Sequence, residues 1–249
     1  MAIVKEFKKD NLTVKVMDSR DEMGRVAGED AANALRALLA EKEEVNVIFA
    51  AAPSQNETLA TLAAAEGIDW GRVNAFHMDE YIGLAPDAPQ GFGNFLAAHF
   101  FDLVPLKSVN YLAPDANDPE ATCARYTELL EKYPTDMIMM GIGENGHIAF
   151  NEPGDFLHAE THKTGLTEST IKANARFFSA GEAMPNAALT VGMGVIMRAK
   201  KILLIATGAK KKAAIKELLS GRISTACPAS VLQMHPNATV ICDEAAVEE

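Results

Sequence analysis

Short apolar runs alternate along this chain with longer stretches in which apolar residues recur every three or four positions. Runs of four to eight apolar residues are a strand signal, and the longer period is a helix signal. Residues 19–41 carry the helical pattern, with Ser19 placed as N-cap and Glu22 three residues on to complete a capping box. "VNVIFAAA" then reads as a buried strand, and "SQNETLATLAAAEG" as a helix with a polar start and a glycine end. "RVNAFHMDE" reads as the next strand, closing on an acidic pair. "FGNFLAAHFFDLV" and "PEATCARYTELLEKY" read as helices, and "DMIMMGIG" as a strand that stops at glycine. "KKILLIAT" is a further strand, "GAKKKAAIKELLSG" its helix, and "ATVICDE" a last strand.

This alternation predicts an α/β fold: a Rossmann-like open, mostly parallel sheet with helices on both faces, built as a single domain over residues 1–249. An irregular segment is expected near residues 150–175, in a position to act as a lid. Three strands stop where polar chemistry begins, in "FAAAPSQN", "FHMDEY" and "GIGENGH". Ligands of open α/β sheets sit outside the carboxyl ends of the strands, so these three ends locate the candidate site.

Bulk properties narrow the choice of ligand. The 249 residues are enough to bury a substantial core, and 48% hydrophobic with 23% charged residues is ordinary for a globular protein. A formal net charge of -11 disfavours nucleic acid or an anionic membrane as a general partner. An anion would have to be held locally, by a few placed cations and backbone N–H groups. No apolar run approaches the roughly 20 residues needed to span a bilayer, and a cytoplasmic location is expected. Cys123, Cys227 and Cys242 are widely spaced, which favours buried thiols over a disulfide framework or a zinc site.

"GIGENGHIAFNEPGD" contains Gly141, Gly143 and Gly146 in the spacing of a dinucleotide-binding fingerprint. That fingerprint must open a helix, and a Pro-Gly pair seven residues after Gly146 leaves little room for one. A sharp turn that lets the backbone approach a ligand is the better reading. Within it, His147 is the side chain suited to moving a proton near neutral pH, and Glu152 is a carboxylate able to orient it. Asp79, at the end of its strand, is partly desolvated and so suited to act as a base. Glu80 points the other way and reads as a supporting or surface group. His158 and His162 share a helical spacing but lack a third ligand, so no metal site is expected there.

"FHMDEYIGL", "MGIGENGHIAFNEPGDF", "NARFF", "ALTVGMGVIMRAKKILLIATGAKK" and "CPASVLQMHPNATVICDEAA" together resemble the successive blocks of the glucosamine-6-phosphate deaminase/isomerase family. The resemblance covers nearly the whole chain in order. It implies a cofactor-independent reaction on a small phosphorylated aminosugar, with ring opening, aldose–ketose isomerisation and loss of ammonia. Asp79 then matches the enolisation base, His147 the ring-opening residue and Glu152 its polarising partner. Arg176 and Lys211 match the phosphate cations, and Gly143 and Gly146 belong to the substrate loop.

Three departures from the family pattern stand out. Ala52-Pro53-Ser54-Gln55-Asn56 replaces the usual glycine-pair phosphate loop, leaving Ser54 and Gln55 as side-chain donors. Asn145 stands where some members have an aspartate in the histidine relay. His162 and Thr164 replace basic residues of the allosterically activated members, so such activation is not expected. A homo-oligomer is compatible with the resemblance. The rival readings are galactosamine-6-phosphate or another hexosamine phosphate as substrate, 6-phosphogluconolactone hydrolysis, and a sugar-phosphate sensor without turnover.

Overall fold

The computed structural model describes residues 3–179 and 182–247, so the outermost residues of the predicted 1–249 unit lie outside the described ones. The chain opens with a hairpin of β1 (Ile3–Lys9) and β2 (Leu12–Met17), turned at Asp10 with φ of 51°. Then follow α1 (Arg20–Glu41), β3 (Val45–Phe49), α2 (Asn56–Ala63), β4 (Val73–His77) and β5 (Asp79–Tyr81). Next come α3 (Phe92–Leu96), β6 (Ser108–Asn110), α4 (Pro119–Lys132), β7 (Met137–Met140) and β8 (His162–Gly165). The remainder is α5 (Glu168–Asn174), β9 (Ala187–Thr190), α6 (Met193–Arg198), β10 (Lys201–Ala206), α7 (Lys212–Leu218) and β11 (Ala238–Asp243).

Eight strands form one sheet in the order β1-β2-β11-β10-β7-β3-β4-β6, all parallel except the β1 edge. Period-two alternation divides the central strands between two helical layers. Met137 and Met139 of β7 pack toward α1 and α2, whereas Ile138 and Met140 pack toward α4, α6 and α7. The predicted Rossmann-like sheet is therefore present. From β3 the order grows through β4 to β6 on one side, and from β7 through β10 to β11 on the other. The turns that follow β3 and β7 thus leave a topological switch point, where a crevice forms.

Several local expectations need correction. "RVNAFHMDE" is two strands, because the chain leaves the large sheet at Met78 and enters a second sheet ordered β5-β9-β8. The Met78 N–H donates to Phe49 O at 3.1 Å, and its carbonyl accepts from Val191 N at 3.0 Å, so this one residue is bonded to both layers. Residues 150–175 are not irregular throughout, since they contain all of β8 and α5. The helix foreseen after β3 begins with a 3-10 turn, Pro53–Gln55, because proline presets the first position and has no N–H to lose. Only half of the capping box forms: Ser19 Oγ accepts from Glu22 N at 3.4 Å, while the Glu22 carboxylate turns to Arg25.

Helices α1 and α2 pack in direct backbone contact. A Cβ on Gly24 would lie 2.2 Å from Glu57 Cβ, and one on Gly28 would lie 2.5 Å from Thr61 Cβ. Arg20, in the first turn of α1, donates to the Pro53 carbonyl at 2.5 Å and to the Glu57 carboxylate at 2.8 and 3.1 Å. The turn after β3 is consequently held by α1. At the opposite end of the sheet, fully buried Asp136 accepts from Lys42 and from Asn46 N, and pairs with Lys200 at 3.0 Å. It ties the starts of β3, β7 and β10 together, far from the crevice.

Candidate active site

The turn after β7 is shaped by two glycines whose requirements are met inside the chain. A Cβ on Gly143 would fall 2.3 Å from the His147 ring, so only glycine leaves room for the imidazole to lie against the backbone. Gly146 has φ of +84°, and a Cβ there would meet Cys227 Sγ at 2.6 Å. The turn closes by hydrogen bonds from Gly143 N to His147 O and from Gly146 N to Gly143 O. No helix follows, which removes the dinucleotide reading.

His147 emerges from this turn with its Nδ1 3.4 Å from Glu152 Oε2. That is ion-pair range rather than a tight hydrogen bond, and such contacts commonly shorten when substrate binds. Asn145 organises the pair, its Oδ1 accepting from His147 N at 3.2 Å and its Nδ2 donating to Glu152 Oε2 at 2.8 Å. Thr170 of α5 donates to Glu152 Oε1 and lies 3.4 Å from His147 Nδ1. Burial pushes the Glu152 carboxyl upward, but the hydrogen bonds and charge from His147, Thr170 and Asn145 outweigh it and hold the group at about 2. It is a carboxylate under all working conditions.

Asp79 is the first residue of β5 and is buried. Burial, reinforced by the neighbouring Glu80 carboxylate, pushes its carboxyl up to about 8. Glu80 accepts from Tyr81 N, Phe92 N and Gly93 N at 2.9–3.0 Å, so it anchors the start of α3 and is not a surface group. Thr190 joins Asp79 to the β7 turn: it pairs with Asp79 across β5 and β9, and its Oγ1 accepts from Phe150 N at 3.0 Å. Base and imidazole turn thus share one buried bridge.

The cations approach from other elements. Lys211 lies in a 3-10 turn, Ala209–Lys211, just before α7. Burial lowers its pKa; Glu144 opposes that effect, while Arg176 and Lys210 add to it. Arg176 and Lys211 are thus near enough for their charges to interact. Arg176 is exposed and stacks on Phe177 at 4.8 Å. Buried Asp243 fixes the Lys211 turn by accepting from Gly208 N at 3.0 Å and from Thr207 Oγ1. Ser54 Oγ and Gln55 Nε2 border Gly141. Gln55 itself is fully buried, whereas Ser54 is half-buried and remains the more accessible donor.

His158 and His162 stack with ring centroids 4.1 Å apart, and His162 Nδ1 contacts Glu160 O at 2.9 Å. Among the described residues, no cluster of three or more His, Cys, Asp or Glu side chains could hold a metal. Reading the sequence missed Thr170, Thr167, Ser169, Asp243 and Arg20. The "LTEST" stretch carried one available signal, a hydroxyl residue at a helix start.

The family model described as glucosamine-6-phosphate isomerases/6-phosphogluconolactonase matches residues 18–241. The chain belongs to this family. Within it, a glucosamine-6-phosphate deaminase of Lactobacillus delbrueckii subsp. bulgaricus is 41% identical over 237 residues, covering 94% of this chain and 98% of the relative. The solved structure of a monomeric glucosamine-6-phosphate deaminase superposes with a TM-score of 0.86 at 33% identity, covering 94% of this chain and 98% of the other. A 6-phosphogluconolactonase from Trypanosoma brucei superposes with a TM-score of 0.77 at 17% identity over 94% of this chain and 96% of the other, a likeness of fold alone.

Proposed function

We propose that the chain converts glucosamine-6-phosphate and water to fructose-6-phosphate and ammonia. The observation that carries this reading is the pairing of two proton-transfer centres across one bridge: the Glu152–His147 relay on the β7 turn and the desolvated Asp79 on β5. Lactone hydrolysis requires one base, whereas moving a proton between adjacent carbons after ring opening gives work to both. The 41% identity to a deaminase over nearly the full length supports the same conclusion.

In this mechanism His147 takes the proton from the anomeric hydroxyl and delivers one to the ring oxygen, opening the pyranose. Asp79, as carboxylate, removes the proton from C2, and a proton returns to C1. The resulting C2 iminium adds water and expels ammonia. Arg176 and Lys211 hold the phosphate, with Ser54 at the edge of the same crevice. The stretch from residue 150 to 175 serves as a lid, and the whole chain acts as one domain. All these side chains come from one chain. Among the described residues no helix is long and apolar enough to cross a membrane, and we assign the protein to the cytoplasm.

Ammonia release from glucosamine-6-phosphate and galactosamine-6-phosphate, measured in parallel, tests the reading. Turnover of the gluco epimer that vanishes in Asp79→Asn is the expected result. Preference for the galacto epimer would assign the Ala52–Asn56 turn to a different sugar. Hydrolysis of 6-phosphogluconolactone that survives Asp79→Asn, with no ammonia from either sugar, would replace the deaminase reading by the lactonase one.

A further inference from the structure

The start of α5 presents three hydroxyls to the relay, and their hydrogen bonds run in one direction. Asn145 Nδ2 donates to Ser169 Oγ at 3.3 Å, and Ser169 Oγ lies 3.0 Å from Thr167 Oγ1. Thr167 Oγ1 donates to Thr170 Oγ1 at 3.1 Å, and Thr170 Oγ1 donates to Glu152 Oε1. Each hydroxyl has a single proton. Because Thr167 gives its proton to Thr170, Ser169 must be the donor in its contact with Thr167. The second N–H of Asn145 goes to Glu152 Oε2. The circuit therefore starts at one amide and closes on both oxygens of one carboxylate.

This arrangement favours one tautomer of His147. Thr170 has none left to give, and Glu152 is an acceptor only, yet both face Nδ1 at 3.4 Å. Nδ1 must be the protonated nitrogen of the neutral ring, which leaves the Nε2 lone pair as the base. It also explains Asn145. An aspartate there could donate neither to Ser169 nor to Glu152 and would place a second carboxylate against the first.

We propose that Thr170 is a positioning residue that, through the hydroxyl circuit, holds Glu152 in the rotamer that selects the Nδ1–H tautomer of His147. The proposal rests on the deaminase reading for its kinetic consequence but not for its structural one. Thr170 is buried, so its hydroxyl has no competing water partner.

The test compares Thr170→Val, which keeps the shape and removes the hydroxyl, with Thr170→Ser, which keeps the hydroxyl. The expected result for valine is a kcat lower by about 10- to 100-fold, a part of the 10²- to 10⁴-fold that acid–base catalysis is worth, with KM changed by less than about twofold. Serine should recover kcat to within about threefold of the parent. In parallel, ¹⁵N NMR of the His147 imidazole should show one Nδ1–H tautomer in the parent and serine proteins and a mixture in the valine protein. Should valine fail to fold, Thr170→Ala removes the same hydroxyl without adding an atom. A valine or alanine protein with parental kcat and a single tautomer would overturn the proposal, as would a serine protein as impaired as valine. If the parent releases no ammonia the deaminase reading fails, and the tautomer spectra still decide the role of Thr170.

Discussion

Asp79 shows how one residue can serve chemistry at the expense of the fold. Its carboxyl is buried and pushed up to about 8, against an ordinary value near 4 in the unfolded chain. The folded state therefore binds more protons than the unfolded state between those two values, and stability falls as pH rises through that window. Below about pH 4 both states are protonated and the residue is neutral in the balance. Asp79→Asn should consequently melt higher than the parent at pH 8, by at least the roughly 2–4 °C that 1 kcal/mol represents in a chain of this size. The advantage should shrink as pH falls and vanish only below about pH 4, while turnover is lost at every pH. Equal melting temperatures at pH 8 would show that the carboxylate is better solvated than its burial indicates. The parent's kcat/KM should rise with pH toward 8 as the base ionises. Asp79 and His147 were legible in the sequence because each is a chemically capable side chain at a strand end. Thr170 was not, because a hydroxyl at a helix start is indistinguishable from a cap until the chain brings Glu152 beside it.

At the level of elements, the long strands and helices were legible because their periodicity is strong and their burial complete. β3, β4, β7, β10 and β11 are buried along nearly their whole length. Most misses were short or edge elements, but β2, an interior strand of six residues, also went unread. β1 is exposed along most of its length and has no apolar face to reveal it. β8 alternates half-buried and exposed positions over only four residues. The break at Met78 was hidden because Met78, Asp79 and Tyr81 are as buried as the strand before them. Gly24 and Gly28 would be read within α1 as weak helix formers, yet they set the distance to α2. Gly28→Ala should gain roughly 1 kcal/mol of helix propensity and lose more to overpacking, typically 1–3 kcal/mol, giving no gain or a net loss of stability. Thermal melting checks this. A clear rise in melting temperature would mean that α2 can withdraw, and the Pro53 turn, which Arg20 and Glu57 tie to both helices, would then be expected to shift.

Across the whole molecule, the two sheets divide the chemistry between them. Asp79 starts a strand of the three-stranded sheet, whereas His147 follows a strand of the eight-stranded one. The junction between them includes Met78, bonded to both layers, Thr190, whose hydroxyl accepts from Phe150 N, and Asn151, whose Nδ2 donates to Val191 O, with Leu189 of the small sheet packed into one of the large cores. The small sheet rests on a cluster around Tyr81, Phe150, Leu166 and Ala188, far less extensive than the two cores that flank the large sheet. The minor body should therefore loosen at a lower free-energy cost than the major one. In a urea titration, turnover is expected to disappear at a lower concentration than far-ultraviolet circular dichroism, with the Asp79 region losing amide protection first. Coincident transitions would show instead that the two sheets melt as one unit. If turnover is lost first, the working tolerance to heat or denaturant is set at the junction of Met78, Asn151 and Thr190 rather than in the large core, and strengthening that core would do little to prolong activity.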